Sequence, residues 1–310
     1  MGELLHRAGV HLLDVKKLLR SRGVRFLVAM LVLVVLGLVA RPHVRRAAAA
    51  AIDRSPNHGL PAPAPRPGEL RVEIASPPAS LAMELVDVAP GATPKGTVFV
   101  LHGIRDQKES MRGFGAMLAA SGFRAILVDL RGHGRSSGEW LSYGAVESHD
   151  LALVLDALTA QGLVVGKVGV LGLSYGAATA IEWAGVDPRV VAVVAIAPFA
   201  SLRAVVPGYV PVRLPSSFVD GCIDEAGREA DFDPDRASPV AAIAKTRAAV
   251  LLIHGQMDDR IPPWHSEHIA AAGVGHTELI LVPGETHETI GADASGTIRG
   301  RGMGWFADHL

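Results

Sequence analysis

A chain of 310 residues with 49% hydrophobic content and a formal net charge of −1 can bury a substantial core, and its charge balance shows no general bias toward nucleic acid or anionic surfaces. The single cysteine, Cys222, excludes an intrachain disulfide, and the thirteen histidines lack the paired spacing of a zinc site. One catalytic-sized domain with an appendage fits this composition.

Residues 1–23 form a basic leader. Apolar positions at helical spacing (Leu4, Leu5, Ala8, Leu12, Val15, Leu19) alternate with basic residues, which suits a membrane surface and a solvated helix equally. From Phe26 to Ala40 the chain is uncharged and apolar. With Val24 and a snorkelling Arg25 the run covers 24–40, about 25 Å of helix against a hydrocarbon core of about 30 Å. The expectation is one transmembrane helix in a locally thinned bilayer. An uncleaved anchor is preferred to a signal peptide, because the positive region is long and Leu38 stands where a small residue is wanted. The basic excess lies on the amino side, so that side is expected in the cytoplasm and the rest outside, periplasmic or extracellular. Residues 41–68, with arginines, an alanine run and Pro61-Ala62-Pro63-Ala64-Pro65-Arg66-Pro67, read as an extended spacer. The folded domain is expected over 69–310.

Within it, periodicity predicts strands near 70–75, 81–88, 97–102, 124–129, 167–173, 190–196, 249–254 and 277–282. Helices are predicted near 109–121, 145–160, 175–185, 264–272 and 297–309. The later strands are short β-branched runs without polar alternation, as in a parallel sheet covered by helices on both faces. The expected class is therefore α/β. Residues 199–236 break the rhythm with Pro207, Pro211, Pro215 and Pro234. An insertion after the carboxyl end of a strand reads as a lid, with a disordered loop as the competing view.

Residues 172–176 read Gly-Leu-Ser-Tyr-Gly between an apolar strand and a small-residue helix, a turn that projects the Ser174 hydroxyl into open space. A serine nucleophile needs an imidazole to take its proton and a carboxylate to fix the imidazole's tautomer. Asp258 follows the strand ending near 254, and His287 follows the strand ending near 282. Asp259 is a rival acid, and His265, His268 and His276 are rival bases. His102, His133 and His254 read as turn and packing residues, Asp129 and Arg131 as structural ones.

Several motifs together resemble the α/β-hydrolase fold family over about residues 95–310: Leu101-His102-Gly103-Ile104, Asp129-Leu130-Arg131-Gly132-His133-Gly134-Arg135-Ser136, the elbow around Ser174, and Gly255-Gln256-Met257-Asp258 ahead of Pro262. The nearest flavour is that of serine-aminopeptidase-like or lysophospholipase-like hydrolases. The resemblance implies an α/β-hydrolase fold with Ser174 as nucleophile, His287 as base and Asp258 as its orienting acid. It also implies that backbone N–H groups of Ile104 and Tyr175 hold an oxyanion, without metal or organic cofactor. The expected function is a membrane-anchored serine hydrolase of carboxylic esters, thioesters or small amides, acting on a small-molecule acyl substrate with no obligate protein partner; the apolar lid residues Val205, Val206, Tyr209, Val210, Val212, Leu214 and Phe218 suit a lipophilic acyl group and ordinary packing equally. Two alternatives are an aminopeptidase using lid acids (Asp220, Asp224, Glu225, Glu229, Asp231) for the substrate amine, and a catalytically silent binding protein.

Overall fold

The computed structural model describes Met30, residues 42–210 and residues 214–310. Two compact units divide the chain, Met1–Ala48 and Ala49–Leu310, and the second carries the sheet. Eight strands build it: β1 (Leu70–Ala75), β2 (Pro78–Val86), β3 (Gly96–Leu101), β4 (Arg124–Val128), β5 (Lys167–Leu173), β6 (Val190–Ile196), β7 (Ala249–Gly255) and β8 (Thr277–Val282). Their spatial order is β1-β2-β4-β3-β5-β6-β7-β8. Pairs β1–β2 and β2–β4 are antiparallel and every later pair is parallel.

The unalternating strands are explained by two cores. Along β3, Phe99 and Leu101 join one buried cluster with Leu81, Ile126, Val170 and Trp183, while Val98 and Val100 join the other with Phe123, Leu127, Leu171 and Phe306. Both faces of the sheet are thus covered, so apolar residues are favoured at every position. The helices that follow are α1 (Arg112–Ala120), α2 (Glu147–Ala160), α3 (Tyr175–Val186), α4 (Leu202–Val205), α5 (Ser216–Glu229), α6 (Pro239–Ile243), α7 (Trp264–Ala272) and α8 (Met303–His309). Helices α4 and α5 lie in the insertion after β6. Arg203 on α4 draws that insertion together, reaching Asp224 at 2.8 Å, Asp235 at 2.5 Å and Asp220 at 3.8 Å.

The expected membrane helix is corrected by the structure. Among the described residues no helix is long and apolar enough to cross a membrane. The helical stretch at 42–53 is short and carries Arg45, Arg46 and Asp53, charges that a hydrocarbon core disfavours. The leader at 1–23 and the run at 24–40, apart from Met30, lie outside the described residues. The anchor, the membrane partner and the outer-side localisation drawn from them fall with it.

The compact unit begins at Ala49, ahead of the boundary expected near Glu69. Residues 53–59 lie along the turn at 132–141. Asp53 O accepts from Leu141 N–H, Ser55 Oγ donates to Gly138 O at 2.5 Å, and Asn57 Nδ2 donates to Gly134 O and Ser136 O. Composition alone read this stretch as spacer, because its contacts are made by polar side chains to a backbone some eighty positions away. Asp53 is fully buried, and among the described residues neither carboxylate oxygen has a hydrogen-bond partner. Burial, aided by nearby Glu229, pushes its carboxyl up to about 6.

Candidate active site

Four loops at the carboxyl ends of β3, β5, β7 and β8 bring the predicted residues together, with Ser174 in the strand-to-helix turn. Its backbone has φ 53° and ψ −112°, a strained conformation for a residue with a side chain. The flanking glycines follow from space. A Cβ at Gly172 would lie 2.2 Å from the Gly176 carbonyl oxygen, and one at Gly176 would lie 2.5 Å from the Leu101 carbonyl oxygen. No larger residue fits either position without moving backbone.

His287 Nε2 lies 3.0 Å from Ser174 Oγ, and His287 Nδ1 lies 2.7 Å from Asp258 Oδ2. The loop after β7 fixes the acid. Asp258 Oδ1 accepts from Arg260 N–H at 3.1 Å and from Ile261 N–H at 2.8 Å. His254 supports it from below: Nε2 is 2.7 Å from Ile261 O, so it carries the proton, and it also lies 3.3 Å from Asp258 Oδ2. Burial alone would raise the Asp258 carboxyl, but hydrogen bonds from His254 and His287 outweigh it and hold the group well below the usual carboxylate range. Asp259, the rival acid, is exposed. Of the rival bases, His265 Nδ1 accepts from Ala200 N–H and His276 Nε2 bonds Ile243 O. His265 is held down to about 4 by burial.

Tyr175 opens α3, where first-turn N–H groups have no intrahelical acceptor. Gly103 lies beside the serine, since a Cβ there would be 3.7 Å from Ser174 Cβ. His102 sets the loop that follows. Its Nε2 can only accept from Leu130 N–H at 3.1 Å, so Nδ1 carries the proton and donates to Gly103 O at 2.7 Å. In a trans peptide the Ile104 N–H then faces away from the imidazole. Burial pulls His102 down to about 4, so the ring stays neutral above that pH. Asp129, fully buried, accepts from Lys108 Nζ at 2.6 Å, Lys108 N–H and Arg135 N–H, while Arg131 is paired with Asp150 at 2.7 Å. Both therefore hold loops rather than substrate. Among the described residues no group of three or more His, Cys, Asp or Glu could hold a metal ion.

Sequence reasoning passed over Glu147 and Glu182, two buried glutamates behind the elbow. The Tyr175 hydroxyl that Glu147 meets lies twenty-eight positions away, and the neighbours of both glutamates read as ordinary helix. Glu182 Oε2 fills the space that a Cβ at Gly144 would need, at 1.5 Å from it. Burial first, then Glu147, pushes its carboxyl well above the usual range. An acid whose pKa is raised on folding stays protonated while its unfolded counterpart ionises, so stability is full below the unfolded value near 4.3 and falls as pH rises past it. Glu182→Gln is expected to remove that loss, about 1.4 kcal/mol per pH unit per proton above pH ~4.3, as read by urea midpoints between pH 4 and pH 8. A variant whose pH slope matches the wild type overturns it.

The family described as serine aminopeptidase, S33, matches residues 92–220. The uncharacterized protein YqkD of Bacillus subtilis is 30% identical over 64% of this chain and 67% of its own length. Acylamino-acid-releasing enzyme 2 of rice (Oryza sativa subsp. japonica) is 27% identical over 70% of this chain but only 30% of that protein. Among solved structures, the Pyrococcus furiosus esterase Pf2001 superposes with TM-score 0.63 at 20% identity, covering 82% of this chain and 99% of that one. Est1E of Butyrivibrio proteoclasticus, solved with ferulic acid bound, gives TM-score 0.61 at 15% identity over 77% of this chain and 99% of its own.

Proposed function

The chain belongs to the α/β-hydrolase fold family related to serine hydrolases, and from that premise we propose that it hydrolyses carboxylic esters of small acyl groups, or related thioesters and small amides, through an acyl-enzyme on Ser174. The carrying observation is the relay Asp258 Oδ2, His287, Ser174 Oγ at 2.7 and 3.0 Å. In this reading His287 Nε2 takes the serine proton as Oγ attacks the acyl carbon. Asp258 holds Nδ1–H and stabilises the imidazolium that forms. Tyr175 and Ile104 N–H groups receive the negative charge on the carbonyl oxygen. His287 then gives its proton to the leaving alkoxide, and water attacks the acyl-enzyme by the same route.

The peptidase alternative needs free lid acids for a substrate amine. Of the five candidate acids, Asp220 and Asp224 are instead turned on Arg203 and Glu225 on Arg228, which weighs toward the ester reading. A silent binding protein has no use for three side chains so aligned.

Incubation with a fluorophosphonate is expected to add one phosphonyl group per chain, found by peptide mapping at Ser174. Absent labelling in folded protein, or labelling elsewhere, overturns the proposal.

A further inference from the structure

Behind the elbow, the carboxylate of Glu147 has no accessible surface and is met by donors at each oxygen. Oε1 accepts from Ser142 N–H at 3.0 Å and from the Tyr175 hydroxyl at 2.8 Å. Oε2 accepts from Gly144 N–H at 2.9 Å and from the Ser142 hydroxyl. The same Tyr175 hydroxyl accepts from Tyr143 N–H at 3.1 Å, and burial keeps that phenol protonated far above its ordinary range. Tyr175 therefore carries two features on one residue. Its backbone follows Ser174 directly, and its side-chain hydroxyl donates to a carboxylate anchored on another element.

Strain gives this arrangement a task. Ser174 (φ 53°) and Tyr143 (φ 56°) are both non-glycine residues in the left-handed region. Such conformations persist only where surrounding contacts over-determine them. Both are tied to Tyr175: Ser174 through the peptide bond, Tyr143 through its N–H on the Tyr175 hydroxyl, with Glu147 behind it. The rings of Tyr143 and Tyr175 also meet edge to face at 5.5 Å. Rotation of the Tyr175 backbone would drag its hydroxyl off a carboxylate sealed from water, so the position of its N–H is tied to Glu147.

We infer that Glu147 and the Tyr175 hydroxyl are positioning residues for the oxyanion: through the Tyr175 side chain they fix the backbone N–H that follows the nucleophile. This rests on the Ser174 acyl-enzyme reading above. An oxyanion donor acts on the transition state more than on the bound ester, so its misplacement lowers kcat and leaves KM nearly unchanged.

The variant to make is Tyr175→Phe, which keeps the ring and removes only the hydroxyl. Rates on p-nitrophenyl acetate are normalised to sites titrated with fluorophosphonate, so a smaller folded fraction does not count. The expected result is a kcat about tenfold to a hundredfold lower, with KM within about twofold. Affinity for a trifluoromethyl ketone, whose adduct carries an oxyanion, should fall by the same factor as kcat/KM. Glu147→Gln, which sets an amide N–H₂ against existing donors, should lower kcat at least as far, and the double variant no further than Glu147→Gln alone. Should Tyr175→Phe fail to fold, Ser142→Ala, which removes one donor, is read in the same way. Unchanged kcat and ketone affinity per titrated site overturn the inference while Ser174→Ala remains inactive. An active Ser174→Ala overturns the acyl-enzyme reading itself.

Discussion

Ser174→Ala is expected to lower kcat for p-nitrophenyl acetate by about 10⁵- to 10⁶-fold, the loss typical when a serine nucleophile is removed from an intact relay. The substitution deletes one oxygen, 3.0 Å from His287 Nε2, and leaves the backbone that shapes the turn. Residual turnover about 10³-fold above the uncatalysed rate would come from binding and the backbone donors alone. Stability should change little, because alanine is no more strained at φ 53° than serine and the hydroxyl is bonded only to His287 among the described contacts. A rate within tenfold of the wild type, with an unfolding midpoint unchanged, would remove Ser174 from the chemistry.

The sheet was legible from sequence because its signal is local. Runs such as Val190-Val191-Ala192-Val193-Val194-Ala195-Ile196 need only be apolar and β-branched, and β6 spans those residues. The start of β2 was less legible. Pro78, Ala79 and Ser80 belong to the strand, and a start at 81 omits them because proline reads as a breaker away from a sheet's edge. The helix expected over 297–309 opens instead with a wide turn at Ile298–Gly302, where Gly300 and Gly302, with Gly304 just beyond in α8, weaken the helical pattern. For the membrane segment, no helix among the described residues is long and apolar enough to span, and an apolar run carries a hydropathy signal without saying whether a spanning helix forms.

At the site the contrast is sharper. Ser174, Asp258 and His287 stand at strand ends, so a reading of strand order suffices to suggest them. Glu147 does not. Its carboxylate matters through Tyr175, twenty-eight positions away, a contact that exists only once α2 packs against α3, while its bonds to Ser142 and Gly144 are local to the turn that opens α2. Asp53 was hidden in the same way, inside a segment whose composition reads as spacer. Buried polar networks of this kind are set by tertiary geometry, and one-dimensional periodicity carries no trace of them.

Asp258→Asn is expected to lower kcat by about 10⁴-fold, more than the loss of one hydrogen bond would suggest. The reason lies in what surrounds the carboxylate. Oδ1 accepts from two backbone N–H groups, Arg260 and Ile261, so in an asparagine the amide oxygen must take that position. The N–H₂ then points at His287 Nδ1, which can meet it only as an acceptor. The imidazole proton moves to Nε2, the atom 3.0 Å from Ser174 Oγ that has to accept one. The base is present but in the wrong tautomer. Combined with His287→Ala, the loss should be no greater than that of His287→Ala alone, since both variants break one relay. Stability gives an independent reading. A carboxyl held below its ordinary pKa by hydrogen bonds contributes stability above about pH 3.9, and that contribution is lost as pH falls through the folded value. Wild type should therefore exceed Asp258→Asn in urea midpoint near pH 7, and the gap should narrow below pH ~4. A gap independent of pH, together with kcat within tenfold of wild type, would mean that Asp258 orders its loop and takes no part in directing the proton of His287.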